Sequence, residues 1–213
     1  MEPVISAPEF KGYQKVPRWS RDILITEKID GTNAQILIEE ARDLHPPHFE
    51  GSTYVTRPDG SVVRITAGSR SQFLTAQKDN HGFAKWVALN ALELSTLGPG
   101  RHFGEWWGKG VNRGYGMDHK VFSLFNVLRW SDQYGSEAMN RPLCCETVPV
   151  FYKGPRVPNN GQDQVDMAAA RLAFGGSLAA PGYVNPEGIV IMHLASNHVY
   201  NFTLDGDGHK GAA

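Results

Sequence analysis

The sequence predicts a strand-rich α+β fold. Three observations carry that expectation. β-Branched apolar runs bounded by turn residues fill the first third of the chain, and a helical period is held in only two stretches. The length, 213 residues, suits one large core better than several. A single domain over 1–213 is therefore expected, without internal repeats or low-complexity linkers.

The elements follow in order. Residues 22–26 form a compact apolar run, and across 33–39 Ala34, Ile36 and Ile38 alternate with Gln35, Leu37 and Glu39, so both segments read as strands. Between them Lys28-Ile29-Asp30-Gly31-Thr32 reads as a turn or tight crossing. The proline- and histidine-rich segment 41–51 is a loop, and 54–70 reads as a hairpin turning at Pro58-Asp59-Gly60. The clearest helix follows Asn80, where Phe83, Trp86, Val87, Asn90, Ala91 and Leu94 recur at helical spacing before Gly98-Pro99. Strands are expected over 101–107 and 120–128, separated by the glycine-rich GKGVNRGYG. A shorter helix over 165–174 stops at Gly175-Gly176. GIVIMHLA and VYNFTL supply two last strands around a turn at Ser196-Asn197.

Composition narrows the function classes. A formal net charge of −1 gives no global basic field, so any nucleic-acid binding must use a local groove. Cys144 and Cys145 are adjacent, a geometry strained for a disulfide, and no zinc spacing is present. They read as reduced thiols of an intracellular protein, on or near a strand. The N-terminus lacks a signal-peptide pattern and no apolar run approaches a membrane span, so a cytoplasmic protein with no membrane contact is expected. The histidines show no metal-binding spacing, and DGDGHK lacks the rest of a calcium loop.

The chemistry centres on Lys28. A lysine of ordinary pKa, about 10.4, is protonated at neutral pH and cannot attack. Burial or a neighbouring cation can depress that pKa and make the amine a nucleophile. A strand end between two apolar runs supplies burial. Gly31 removes a side chain beside the lysine, which lets phosphates or backbone come close, and Asn33 offers a neutral donor and acceptor.

EKIDGTN resembles the lysine motif of the covalent nucleotidyltransferases, the family of ATP-dependent DNA ligases, RNA ligases and mRNA capping enzymes. Further segments resemble its later motifs in the right order: AGSRSQF with Arg70, HFGEWWG with Glu105, VFSLFNV with Phe122 and Phe125, and NPEGIVIM with Glu187. The resemblance is closest to the nick-sealing RNA ligases and their short relatives, because Asn33 stands where DNA ligases and capping enzymes usually carry arginine. It implies an antiparallel-sheet-rich nucleotidyltransferase domain with a few flanking helices (ATP-grasp-like, the adenylation domain of ligases). The chain stops at Ala213, which leaves no room for the oligonucleotide-binding barrel that DNA ligases add.

The resemblance also implies the reaction. Lys28 would take AMP from ATP with Mg²⁺ or Mn²⁺, pass it to a polynucleotide 5′-phosphate, and promote attack by a 3′-hydroxyl. The partner is then RNA with 5′-phosphate and 3′-hydroxyl ends, a nicked duplex included, and a protein partner could supply substrate grip. Glu27 and Ile29 flank the lysine in the nucleotide pocket. Glu105 would hold the ribose, and Phe122 or Phe125 would stack on the purine, although the two cannot share one face of a regular strand. Asn33 and Arg70 would contact phosphates, and Glu187 would reach the metal directly or through water. Lys109 and Arg113, in the glycine-rich loop, are further candidates by charge alone.

One motif departs from the family pattern. The last strand normally carries lysines on the α-phosphate, and here Asn201 and Thr203 stand in those positions, with Lys210 beyond the strand. Asparagine gives a dipole where a fixed cation would stabilise developing charge. A minimal ATP-dependent DNA ligase and a non-catalytic module that binds a nucleotide or RNA end therefore stay open beside the RNA ligase.

Overall fold

The computed structural model describes residues 9–13, 15–18, 20–41, 50–156 and 163–205, and the α+β expectation holds there. The first strands are β1 (Asp22–Lys28), β2 (Thr32–Glu40), β3 (Ser52–Thr56), β4 (Val62–Ser69), β5 (Gly100–Gly108) and β6 (Lys120–Leu124). They are followed by β7 (Cys145–Thr147), β8 (Val150–Pro155), β9 (Gly188–His193) and β10 (His198–Thr203). The helices are α1 (Phe83–Leu89), α2 (Ala91–Leu94), α3 (Val127–Trp130) and α4 (Gln164–Gly175). Two sheets result, ordered β10-β9-β1-β8 and β3-β4-β2-β5-β6-β7, antiparallel except for the β6–β7 pair.

Each sheet buries one face under helices. In β2 the predicted alternation is realised: Ala34, Ile36 and Ile38 point into a core shared with Phe83, Val87 and Leu94 of α1 and α2. In β1 both faces are buried, Ile23 and Ile25 against Ala168, Ala169 and Leu172 of α4, and Leu24 among the apolar residues of a separate cluster. Burying an aliphatic side chain contributes roughly 1.5–3 kcal/mol, so this doubly covered strand anchors the smaller sheet.

The differences from the sequence reading have local causes. The helix after Asn80 comes in two pieces at Asn90, whose backbone leaves helical values at φ −104° and ψ 13° while its side chain donates to the Trp86 carbonyl at 2.8 Å. The strand expected over 120–128 ends at Leu124, and Val127 and Trp130 bury at helical spacing in α3. Short apolar runs carry too few residues to separate the two periods. Strand β8 was hidden behind Pro149, whose carbonyl accepts from Glu27 N–H at 2.9 Å beside the register shift between Ile25 and Thr26. The expected loop over 41–51 lies mostly outside the described residues. Both cysteines are free thiols, and Cys145 opens β7. Among the described residues no helix is long and apolar enough to cross a membrane.

Phe122 requires a correction. It is fully buried, with its ring centroid 5.2 Å from Phe83 and 5.9 Å from Trp86, because it shares a face of its strand with Leu124. It packs the core and cannot stack on a purine. Phe122→Ala is therefore expected to destabilise the fold by about 3–5 kcal/mol in urea denaturation, the range for an aromatic cavity. A loss below ~1 kcal/mol would return Phe122 to the surface.

Candidate functional site

The two sheets join where β1 runs into β2. Lys28 is the last residue of β1 in the smaller sheet and Thr32 the first of β2 in the larger, so a cleft opens on both sides of the crossing. From the smaller sheet alternate residues face it: Leu24, Thr26 and Lys28 of β1, Val190 and Met192 of β9, Val199 and Asn201 of β10. From the larger sheet come Asn33 and Glu105, direct partners in the β2–β5 ladder, with Arg70 after β4 and Phe125 after β6. Together they enclose a largely apolar-walled cavity of about 610 Å³. A polar recess of about 450 Å³ shares Lys28, Asn33, Arg70 and Glu105 with it, and adds Asp30 and Glu187.

Lys28 Nζ pairs with Glu187 Oε1 at 2.6 Å; the lysine side chain is 25% exposed and the glutamate 8%. The ladder sets this contact, since Lys28 lies opposite Gly188. Glu105 has its carboxyl pushed up to about 7, first by burial and then by the neighbouring Glu187 and Asp30 charges; the Lys28 charge and the Gly31 N–H oppose the shift. Gly31 is required by packing. A Cβ there would lie 2.5 Å from the Trp106 carbonyl oxygen and 2.7 Å from Trp107 Cβ. The close approach anticipated beside the lysine is thus made by the β5 backbone.

The glycine-rich loop between β5 and β6 locks the crossing. Arg113 Nε donates to Asp30 Oδ2 at 3.0 Å, its Nη1 to the Asn185 carbonyl at 3.0 Å, and its Nη2 to Asp205 Oδ2 at 2.6 Å. Asn112 Nδ2 donates to Asp30 Oδ1 and to the Gly31 carbonyl. Asp30 N–H donates to the buried Tyr115 hydroxyl at 3.0 Å, and burial raises that phenol's pKa. One loop therefore ties the segment after Lys28 to the segment before Glu187 and to the end of β10.

A protein-family model described as RNA ligase matches residues 21–202. The chain belongs to the RNA ligase family. Solved structures of Naegleria gruberi RNA ligase share its fold. An apo lysine-to-alanine mutant matches at TM-score 0.53 and 18% identity, over 90% of this chain and 52% of that one. A mutant with ATP and Mn matches at TM-score 0.52 and 16% identity, over 87% and 50%. One with AMP and Mn matches at TM-score 0.53 and 17% identity, over 90% and 52%. The chain spans about half the length of these structures, and at such identities the likeness is one of fold. No curated protein matches the chain.

For this RNA ligase-family chain, the cleft gathers most of the residues singled out by sequence. Lys28, Ile29, Asn33, Arg70, Glu105, Phe125 and Asn201 line the larger cavity, and Glu187 the recess. Glu27 also borders the cavity, but its carboxylate is committed to the protein. It accepts from Ser177 Oγ at 2.6 Å, Leu178 N–H at 2.8 Å and Ala179 N–H at 3.0 Å, while burial raises its pKa against those bonds. Arg113 is engaged in the clamp, and Lys109 lines neither cavity. Lys210 lies outside the described residues. The sequence reading missed Asn112 and Tyr115, whose signal was their place in the same nine-residue loop.

Among the described residues no cluster of three or more histidine, cysteine or acidic side chains could hold a metal alone. Glu187 beside Lys28, with Glu105 next to it, nevertheless fits a magnesium-type ion, which takes one or two carboxylates and completes its shell with phosphate and water.

Two outcomes are expected. Folded Glu105 holds its proton more tightly than the unfolded chain, so its contribution to stability is complete below about 4.5 and lost as pH rises through about 7. Thermal melts of Glu105→Gln should show a shallower decline than wild type across that window, with the remaining decline including that of Glu27, shifted the same way. Parallel profiles would remove the shift. Arg113→Ala should speed amide hydrogen exchange at 30–31 and at 185, 187 and 188 while leaving β2–β4 unchanged. Unaltered exchange at the crossing would show that the clamp does not hold it.

Proposed function

We propose that this chain is the nucleotidyl-transfer core of an ATP-dependent RNA ligase, forming one nucleotidyltransferase domain, with Lys28 as the residue that carries AMP. The observation that carries the reading is the position of Lys28 Nζ where an apolar-walled cavity meets a polar recess, 2.6 Å from Glu187. A purine suits the first space and a triphosphate the second. The Naegleria gruberi neighbours with ATP or AMP and Mn support the same choice of ligand.

In this reading Ile29, Val190, Met192 and Phe125 receive the base, and Glu105 the ribose. Asn33 and Arg70 orient the phosphates. The Lys28 ammonium must first give a proton to water and turn from Glu187. Its nitrogen then bonds to the α-phosphorus of ATP as the bond to the pyrophosphate oxygen breaks, leaving a phosphoramidate and free pyrophosphate. The 5′-phosphate of an RNA end next displaces the lysine to give a 5′–5′ pyrophosphate-linked AMP, and a 3′-hydroxyl displaces AMP to form the phosphodiester. A bound Mg²⁺ or Mn²⁺ would supply charge neutralisation at the phosphates, with Glu187 as its protein ligand. Arg70 borders both spaces and, among the described residues, is the cation placed to serve where Asn201 offers only a dipole.

That dipole favours a second reading, a module that binds ATP or an RNA end without chemistry. Incubation with α-labelled ATP and Mg²⁺ or Mn²⁺, followed by denaturing electrophoresis, separates the two. Wild type is expected to retain label and Lys28→Ala to retain none. If pyrophosphate-treated wild type stays unlabelled while binding ATP, the second reading stands. Where wild type does retain label, a nick whose 3′ end is ribose or deoxyribose distinguishes an RNA ligase from a minimal DNA ligase.

A further inference from the structure

One rung outward from Asn33 and Glu105, the larger sheet presents a row of exposed aromatics. Phe103 pairs with Gln35, Gln35 with Gly68, and Gly68 bridges to Phe73. On the other side Phe125 N–H donates to the Phe103 carbonyl at 3.0 Å. Phe73, Phe103 and Phe125 are 39%, 46% and 38% exposed. A Cβ on Gly68 would meet Gln35 Cγ at 2.8 Å, so the Gln35 side chain lies flat over the glycine and floors the space between two rings. The Arg101 guanidinium sits 5.7 Å from the Phe73 ring centroid and donates to Gln35 Oε1 at 2.8 Å. No carboxylate stands in the row.

We propose that this face is the platform for the single-stranded RNA segment leading to the reacting end, with its bases stacked on Phe103 and Phe73 and its backbone drawn by Arg101. The proposal rests on the RNA ligase reading. Exposed aromatics on an open sheet stack bases without needing base-edge contacts, and arginines beside them attract phosphates. Neighbouring strands lie about 4.8 Å apart, so Phe103 and Phe73 are roughly 14 Å apart across the sheet, room for more than one base. Continuity fixes the occupant. Phe125 ends the row and also lines the nucleotide cavity, so a strand on the platform enters the cleft at the base pocket. Arg70, one rung nearer Lys28, continues the positive edge.

The test measures binding of a fluorescent, 5′-phosphorylated single-stranded RNA of ~12 nucleotides by anisotropy, without ATP. Phe103→Ala and Phe73→Ala should each weaken binding ~10-fold, and Phe103→Trp should restore it. Arg101→Ala should reduce the slope of log K against log salt by ~0.7. AMP labelling should stay at the wild-type level in all of these variants. Alanine variants that bind RNA as wild type does would overturn the platform. So would Phe103→Leu matching Phe103, which marks an apolar face for a protein segment. Failure of the ligase reading is seen separately, as absence of label in wild type.

Discussion

Between Lys28, which closes the smaller sheet, and Thr32, which opens the larger, the chain has three residues in which to cross. The rest of the cleft depends on that brevity. Gly31 must touch the β5 backbone, which only a residue without a side chain can do. Because β2 starts at once, Asn33 and its partner Glu105 are brought to the lysine. A longer crossing would let the two sheets drift and would separate the lysine from the carboxylates. The Asn112, Arg113 and Tyr115 contacts act on this same short segment and hold it from outside.

Three carboxyl groups crowd the crossing, and each is managed by a different physical means. Asp30 is neutralised by Arg113 and hydrogen-bonded by Asn112. Glu187 is paired with Lys28. Glu105 forms no ion pair among the described residues, and burial outweighs the Lys28 charge and the Gly31 N–H to hold its proton up to about 7. A polyphosphate entering this field adds negative charge that Arg70 and Lys28 cannot balance alone, and Lys28 must become neutral to react. The proposed chemistry therefore calls for a divalent cation on electrostatic grounds, independent of family precedent.

The parts legible in the sequence were those where pattern and chemistry coincide. The alternation around Ile36 and the apolar run before Lys28 gave β1, β2 and the crossing. Motif order then assembled Arg70, Glu105 and Glu187 before any distance was known. What stayed hidden needed the third dimension. Phe122 and Phe125 differ by three residues, and only the register of β6 with β5 assigns one to the core and the other to the cavity. Arg113 in a glycine-rich loop reads alike whether it meets phosphate or, as here, Asp30 and Asp205. Glu27 seemed available to a nucleotide until a distant segment, Ser177 to Ala179, was seen to occupy its carboxylate.

The departure at Asn201 takes on a definite meaning in this geometry. Asn201 pairs with Val190, which pairs with Thr26, while Thr203 continues the rung of Gly188 and Lys28. A side chain at either position must span two strand spacings, roughly 9–10 Å, to reach the lysine's own row. A lysine is long enough to make most of that distance; asparagine and threonine are not. Among the described residues, the cation placed to supply positive charge to the phosphate in the proposed reaction is on the facing sheet, where Arg70 follows the end of β4. Charge supplied across the cleft is more sensitive to sheet separation than charge supplied along one sheet, because Coulomb attraction falls with distance and water enters any gap. In the proposed reaction the loss of cations from β10 thus moves the burden onto the crossing at Gly31 and the clamp at Arg113, which together fix how far apart the two sheets stand.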